Sequence, residues 1–263
     1  MRSNHLIIII SFVASSLPLL SQDKPIASVK FNKPVEQASV DRAGDLYLQL
    51  TTGEILKYDT NGILTGTFKA DDPVTVFEPR DGARSFAWSR SGKWFSYAYF
   101  GSVKKQKIGE EFAIDPWLVV SSGETNIWIL DGSDRSLKRI NTLENLVEVE
   151  VLLPDNLNTP ESDFISMREY QGFLFLLNQQ TGIHVFNSMG NQVKVFPGKN
   201  IPYSNFLGEE LYYPSEGKIQ FYDLFDGSTR LEIKDPSTIF ELMTDSRIYK
   251  IYPDRLEFIT YHP

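Results

Sequence analysis

The segment that most restricts the fold is residues 37–68, QASVDRAGDLYLQLTTGEILKYDTNGILTGTF. It alternates strand-length apolar runs with turn residues at intervals too short for a helix of ordinary length. Val35–Val40, Leu46–Leu50, Glu54–Tyr58 and residues 63–68 are the runs. Between them stand Asp-Arg-Ala-Gly-Asp, Thr-Thr-Gly and Asp-Thr-Asn-Gly. Gly44 takes positive φ without a Cβ clash, and Asn61-Gly62 suits a type I′ hairpin turn. Leu46–Leu50, which contains Tyr47, reads as a buried strand, and Glu54–Tyr58 alternates like a half-buried one.

The rest of the chain resembles degraded copies of this unit. An aromatic residue inside an apolar run marks the second strand of each copy: Tyr47, Trp94, Trp128, Phe175, Tyr212 and Tyr249, spaced by 47, 34, 47, 37 and 37 residues. The average is near the ~40 residues of a four-stranded propeller blade. The second copy begins at Arg84 and continues through residues 93–100, with a long loop or irregular outer strands over residues 101–113. The third, fourth and fifth copies each supply four strands, over residues 117–152, 163–196 and 203–233, and Met189-Gly190-Asn191 stands where Asn61-Gly62 stands in the first. Residues 153–162, with two prolines, connect two copies. The last copy has three strands, at residues 238–243, 247–251 and 255–260. The unpartnered segment at residues 26–31, IASVKF, supplies the missing fourth. The expected fold is therefore all-β: a six-bladed β-propeller of four-stranded antiparallel blades, closed by the N-terminal strand pairing with the last blade.

Residues 1–21 read as a secretory signal, with Arg2 ahead of an apolar core at residues 6–13 that is too short to span a bilayer. Cleavage near Ser21 leaves residues 22–263 as a single propeller domain with no membrane span, exported to the periplasm or the cell surface. The chain has no cysteine, which excludes disulfides and thiolate metal sites. Hydrophobic residues make up 41% of the chain, enough for an exported domain to rely on its core alone. The formal charge of −8 argues against a nucleic-acid partner, which needs clustered Lys and Arg.

The chain resembles the six-bladed propellers of the broad NHL-like and TolB-like kind, over residues 26–261. The resemblance rests on Gly53-Glu54-Ile55-Leu56-Lys57-Tyr58, Gly182-Ile183-His184-Val185-Phe186 and Gly217-Lys218-Ile219-Gln220-Phe221-Tyr222. It implies an architecture and carries over no catalytic residues, because propellers serve many unrelated functions.

Little standard catalytic chemistry is available. Of three histidines, His5 belongs to the signal, His262 adjoins the C-terminus, and His184 lies in an expected strand. No nucleophile elbow occurs, and His-rich zinc sites are excluded. Asp131-Gly132-Ser133-Asp134 and residues 41–45 are acidic turns without a complete calcium loop. No catalytic residue, metal ligand or cofactor is assigned. The densest unusual feature is residues 86–100, FAWSRSGKWFSYAYF. Inter-blade packing accounts for such aromatics. The alternative is a binding surface formed by Trp88, Arg90, Trp94, Tyr97, Tyr99 and Trp117, since Trp, Tyr and Arg dominate interface hot spots. The functional expectation is an exported, non-catalytic binding or scaffold propeller that contacts a protein partner in the cell envelope. Two alternatives stand beside it: a carboxylate-based, Ca²⁺-assisted lyase or hydrolase at the central channel, and a carbohydrate-binding module using the same aromatics.

Overall fold

The computed structural model describes residues 24–81, 84–100 and 104–261. The expected signal segment lies outside them. Twenty-four strands form six four-stranded antiparallel sheets. Strand β1 (Ala27–Lys30) comes first. Blade 1 holds β2 (Val35–Val40), β3 (Leu46–Leu50), β4 (Glu54–Tyr58) and β5 (Leu64–Lys69). Blade 2 holds β6 (Val76–Asp81), β7 (Arg84–Ser89), β8 (Trp94–Tyr99) and β9 (Gln106–Lys107). Blade 3 holds β10 (Pro116–Ser122), β11 (Asn126–Asp131), β12 (Ser136–Asn141) and β13 (Leu146–Leu152). Blade 4 holds β14 (Phe164–Tyr170), β15 (Phe173–Asn178), β16 (Gly182–Phe186) and β17 (Gln192–Pro197). Blade 5 holds β18 (Asn205–Leu207), β19 (Glu210–Ser215), β20 (Lys218–Asp223) and β21 (Thr229–Ile233). Blade 6 holds β22 (Phe240–Met243), β23 (Arg247–Ile251) and β24 (Arg255–Thr260), with β1 as its outer strand.

The residue pattern of each strand follows its place in the blade. Second and third strands such as β3 (LYLQL) and β16 (GIHVF) are buried throughout, because neighbouring blades cover both faces. Outer strands alternate: in β13 (LVEVEVL) every other residue faces solvent.

Closure of the ring follows the expected pairing. Ala27 lies opposite Phe258 and Lys30 opposite Arg255. Backbone bonds from Ile26 N to Phe258 O (2.8 Å) and Phe31 N to Asp254 O (2.9 Å) extend the ladder at both ends. Phe31 is buried in one cluster with Leu48 and Leu56 of blade 1, Tyr212 and Phe221 of blade 5, and Tyr249 and Phe258 of blade 6. The seam therefore joins a continuous core spanning three blades.

Polar tips of buried aromatics add a second set of links. Tyr249 OH donates to the Gly44 carbonyl of blade 1. Met243 N–H of blade 6 donates to Tyr212 OH of blade 5 (2.9 Å), and Trp128 Nε1 of blade 3 donates to Glu169 Oε2 of blade 4 (2.7 Å). In these three blades the second-strand aromatic fills the gap between blades and its polar atom is satisfied on the next blade, while Tyr47 OH bonds within its own blade to Asp41.

Two expectations are corrected, and a third element, the connection between blades 3 and 4, is found as expected with added detail. In blade 2 the inner strand is β6, so Arg84–Ser89 is the second strand and Trp94 opens the third. Phe86 is then the second-strand aromatic, 39 residues after Tyr47 and 42 before Trp128. The turn at Asn61-Gly62 is not type I′, since Gly62 is at φ +81° while Asn61 is not at positive φ. Gly62 N bonds to Asp59 O, and Asp59 Oδ1 accepts from Asn61 N and Ile63 N. This is a three-residue loop ending in a left-handed glycine, and Asn187 to Asn191 repeats it. The connection over residues 153–162 contains two single 3₁₀ turns, Asp155–Leu157 and Glu161–Asp163, and buries Leu157 completely.

Deleting residues 22–33 removes β1 and Phe31, and the expected outcome is aggregation or a large loss of stability in size-exclusion and thermal-unfolding measurements. A truncated chain as stable as the full one would contradict closure by this strand. Gly62→Val tests the seam more finely. A Cβ there would meet the Ala27 Cβ and the Phe258 ring at 3.1 Å, whereas one at Gly53, also at φ +81°, meets nothing within 4 Å. Urea denaturation should show Gly53→Val costing ~1 kcal/mol of backbone strain and Gly62→Val costing clearly more. Equal costs would mean that the turn does not press on the seam.

Candidate functional site

The aromatics of blade 2 divide between the core and one rim. Phe86, Trp88 and Phe95 pack against Val119, Ile127 and Ile129 of blade 3. Trp94 packs on the other side, with Tyr47 and Ile55 of blade 1. Trp88 and Trp94 are both 0% exposed, so for these two the inter-blade packing reading stands and the alternative contact surface is corrected. The reason is geometric: adjacent strand residues point to opposite faces, and in a blade both faces are covered. Trp94 Nε1 donates to Asp72 Oδ2 (2.7 Å), which also takes Lys105 Nζ (2.8 Å). Those two donors hold the Asp72 carboxyl below its usual range. Tyr97 is half-buried, its OH donating to the Asn126 carbonyl, and burial raises its pKa. The Tyr99 side chain lies outside what the structure describes.

Arg90 and Trp117 are brought together at the rim where the turns between second and third strands lie. The Arg90 guanidinium carbon sits 3.3 Å from the Trp117 ring centroid, and its Nη2 is 3.4 Å from Asp115 Oδ1. Trp117 Nε1 donates to the Phe164 carbonyl at 3.2 Å, which fixes the indole to blade 4. Ile114 stands two residues before Pro116 and is 64% exposed. Lys93 Nζ donates to its carbonyl.

The other end of the inner strands opens a second site. A cavity of about 780 Å³ is lined by residues from all six blades, which places it at one mouth of the central channel. Four arginines (Arg42, Arg80, Arg84 and Arg168) and five carboxylates (Asp41, Glu78, Glu124, Glu169 and Asp245) line it. Most of the carboxylates are engaged. Asp41 accepts from Ala43 N, Asp45 N and Tyr47 OH. Glu78 accepts from Ser121, Glu169 from Ser122 and Trp128, and Glu124 pairs with Arg84. Tyr170 stacks on Phe206 at 4.0 Å beside Arg168. The aromatic repeat gave no sign of this convergence. Its residues sit at the ends of inner strands, the blade's least apolar positions, and only their equivalent places in successive repeats could have pointed to it.

The remaining candidates are structural. His184 is buried in β16 with Nε2 2.8 Å from Thr181 Oγ1, and burial lowers its pKa. The acidic turn after β11 is a buried ion-pair network: Lys138 Nζ lies 2.9 Å from Asp131 and 2.7 Å from Asp134. No group of three or more His, Asp or Glu among the described residues is arranged to hold a metal ion. No helix among them is long and apolar enough to cross a membrane.

No family model matches the chain, and no curated protein matches it in sequence. Solved structures do match. Virginiamycin B lyase from Staphylococcus aureus aligns at 12% identity and a TM-score of 0.52, over 87% of this chain and 80% of that one. The extracellular domain of BT4673 from B. thetaiotaomicron aligns at 14% identity and 0.54, over 87% of this chain and 35% of that one. The WD40 β-propeller domain of Doa1 aligns at 12% identity and 0.58, over 92% and 97%. At such identities the likeness is one of fold, and the chain is a six-bladed β-propeller.

Asp131 generates a prediction about acid. Burial pushes its carboxyl up, but bonds from Lys138, Ser133 and the Asp115 amide outweigh burial and hold it at about 2, below the ordinary 3.8. A depressed carboxylate contributes stability that is present above the ordinary value and is lost as pH falls through the folded one. Between pH ~4 and ~2 the protein should lose roughly 2 kcal/mol from this group. Asp131→Asn should be less stable at pH 7 and should lose less over that acid range, as read by urea midpoints. An unchanged acid dependence would reject the assignment.

Proposed function

We propose that this chain is a binding or scaffold propeller whose rim around Trp117, Arg90 and Ile114 meets a protein partner. The observation that carries the reading is an indole clamped beneath a guanidinium and tied through Nε1 to the next blade, with a largely exposed isoleucine three residues before it in the chain. Such a group contributes contact area without paying to be ordered on binding, and Trp and Arg are the residues on which binding energy concentrates. Export to the envelope is part of the reading and is supported by the sequence of residues 1–21.

A carboxylate-based lyase or hydrolase at the channel is the second reading, favoured by the acidic side chains at its mouth. Against it, Asp41 and Glu169 each take two or more donors that fix them as structural acceptors. Carbohydrate binding by the same aromatics fits less well, because Arg90 covers a face of the Trp117 ring.

The test is crosslinking in an envelope fraction, with wild type compared against Ile114→Asp, Trp117→Ala and, as a control on the opposite mouth, Arg42→Gln. Loss of one specific crosslinked species in the first two variants, with its retention in the third, is the expected result. A loss of ~2 kcal/mol at a hot spot corresponds to roughly thirtyfold in affinity. Equal capture by all four proteins would remove this rim from consideration.

A further inference from the structure

The channel mouth holds an imbalance that packing does not explain. Arg42, Arg80 and Arg168 come from blades 1, 2 and 4 and line one cavity, yet none forms an ion pair among the described residues, while Arg84 pairs with Glu124. Arg80 Nη1 donates only to the Gly123 carbonyl (2.5 Å), and Arg168 Nη1 only to Asn205 Oδ1 (2.8 Å). The Nε of Arg168 is buried and has no hydrogen-bond partner there. Three guanidinium groups thus retain unused donors at one place, and a buried donor left unpaired costs ~1–3 kcal/mol. Meanwhile Asp41, Glu78 and Glu169 take their hydrogen bonds from neutral hydroxyl, indole and amide donors.

We infer that this mouth is a binding site for a small oxyanion ligand, one bearing carboxylate or phosphate groups, held by Arg42, Arg80 and Arg168. Guanidinium presents paired N–H donors that match two oxygens of either group. The cavity volume falls within the range of small-molecule sites. With four arginines against five carboxylates the mouth is close to neutral, so recognition comes from directed donors at short range and not from a long-range field. The site is independent of the proposed partner rim: Trp117 and Gly123 lie at opposite ends of β10, and a failure of one leaves the other standing.

The experiment is isothermal titration of the full chain with citrate, with inorganic pyrophosphate, and with a neutral polyol as control. Wild type should bind at least one of the two anions, and not the polyol, with a Kd below 1 mM. Binding of citrate alone assigns a carboxylate ligand, and of pyrophosphate alone a phosphate ligand. Arg42→Gln, at an exposed position, and Arg80→Gln should each weaken binding at least tenfold while leaving the thermal midpoint of the free protein within a few degrees of wild type. The inference is overturned if neither anion binds, or if both variants bind as wild type does. Should Arg80→Gln unfold the protein, Arg42→Gln alone decides.

Discussion

The fold depends on one pairing, between the first strand and the third strand of the last blade. A propeller has no central core: each blade is stabilised by the two beside it, so an open ring would leave two blades each with an uncovered face. Strand β1 removes that liability by making the outer strand of blade 6 from the opposite end of the chain. Phe31 then carries the chain from blade 6 into the cluster shared by blades 5, 6 and 1. Because the residues joined are more than two hundred positions apart, the seam forms only at a high cost in chain entropy, and its packing has to repay that cost.

The aromatic residues solve a related problem. Wedges between flat sheets need large side chains, but Tyr and Trp bring a polar atom into the interior that must be paired. Pairing it across the gap, as Tyr249 does to blade 1 and Trp128 to Glu169 of blade 4, makes the same side chain both filler and tie. Glu169 shows how the interior and the channel are linked: one carboxylate oxygen accepts from Ser122 and Trp128 while its residue lines the mouth. The blade interfaces thereby shape the wall of the channel mouth.

The two candidate sites reflect the two ends of the inner strands. At one end the turns between second and third strands bring Arg90 over Trp117. At the other, the turns leaving the inner strands converge on the axis. Residues far apart in the chain meet at both ends because every blade delivers the same two positions to the same two rims. A substitution in one blade's interior therefore acts on the sites through shape, and a substitution at a rim acts on one site only.

Most of the architecture was legible in the chain alone. Turn glycines, apolar runs in central strands such as β3 and β15 and a repeat near forty residues are local features, set by backbone sterics and by which faces a blade buries. The incomplete last copy even disclosed the closure. Blade 2 was misread by one strand because Phe86, Trp88 and Trp94 are equally good strand aromatics, and only pairing with Val76–Asp81 shows which strand is inner. The site was far less legible. By composition Trp88 and Trp94 suit either inter-blade packing or a surface, and only the strands covered on both sides show that they are buried. Arg42, Arg80 and Arg168 read as unrelated charges. Order along the chain determined six blades, which rest on contacts between near neighbours, and showed a spare strand at residues 27–30 for a last blade that has three of its own. Which charges share a cavity, and which aromatics reach solvent, was decided by the ring itself, because distance across a circle is not encoded in any local stretch of residues.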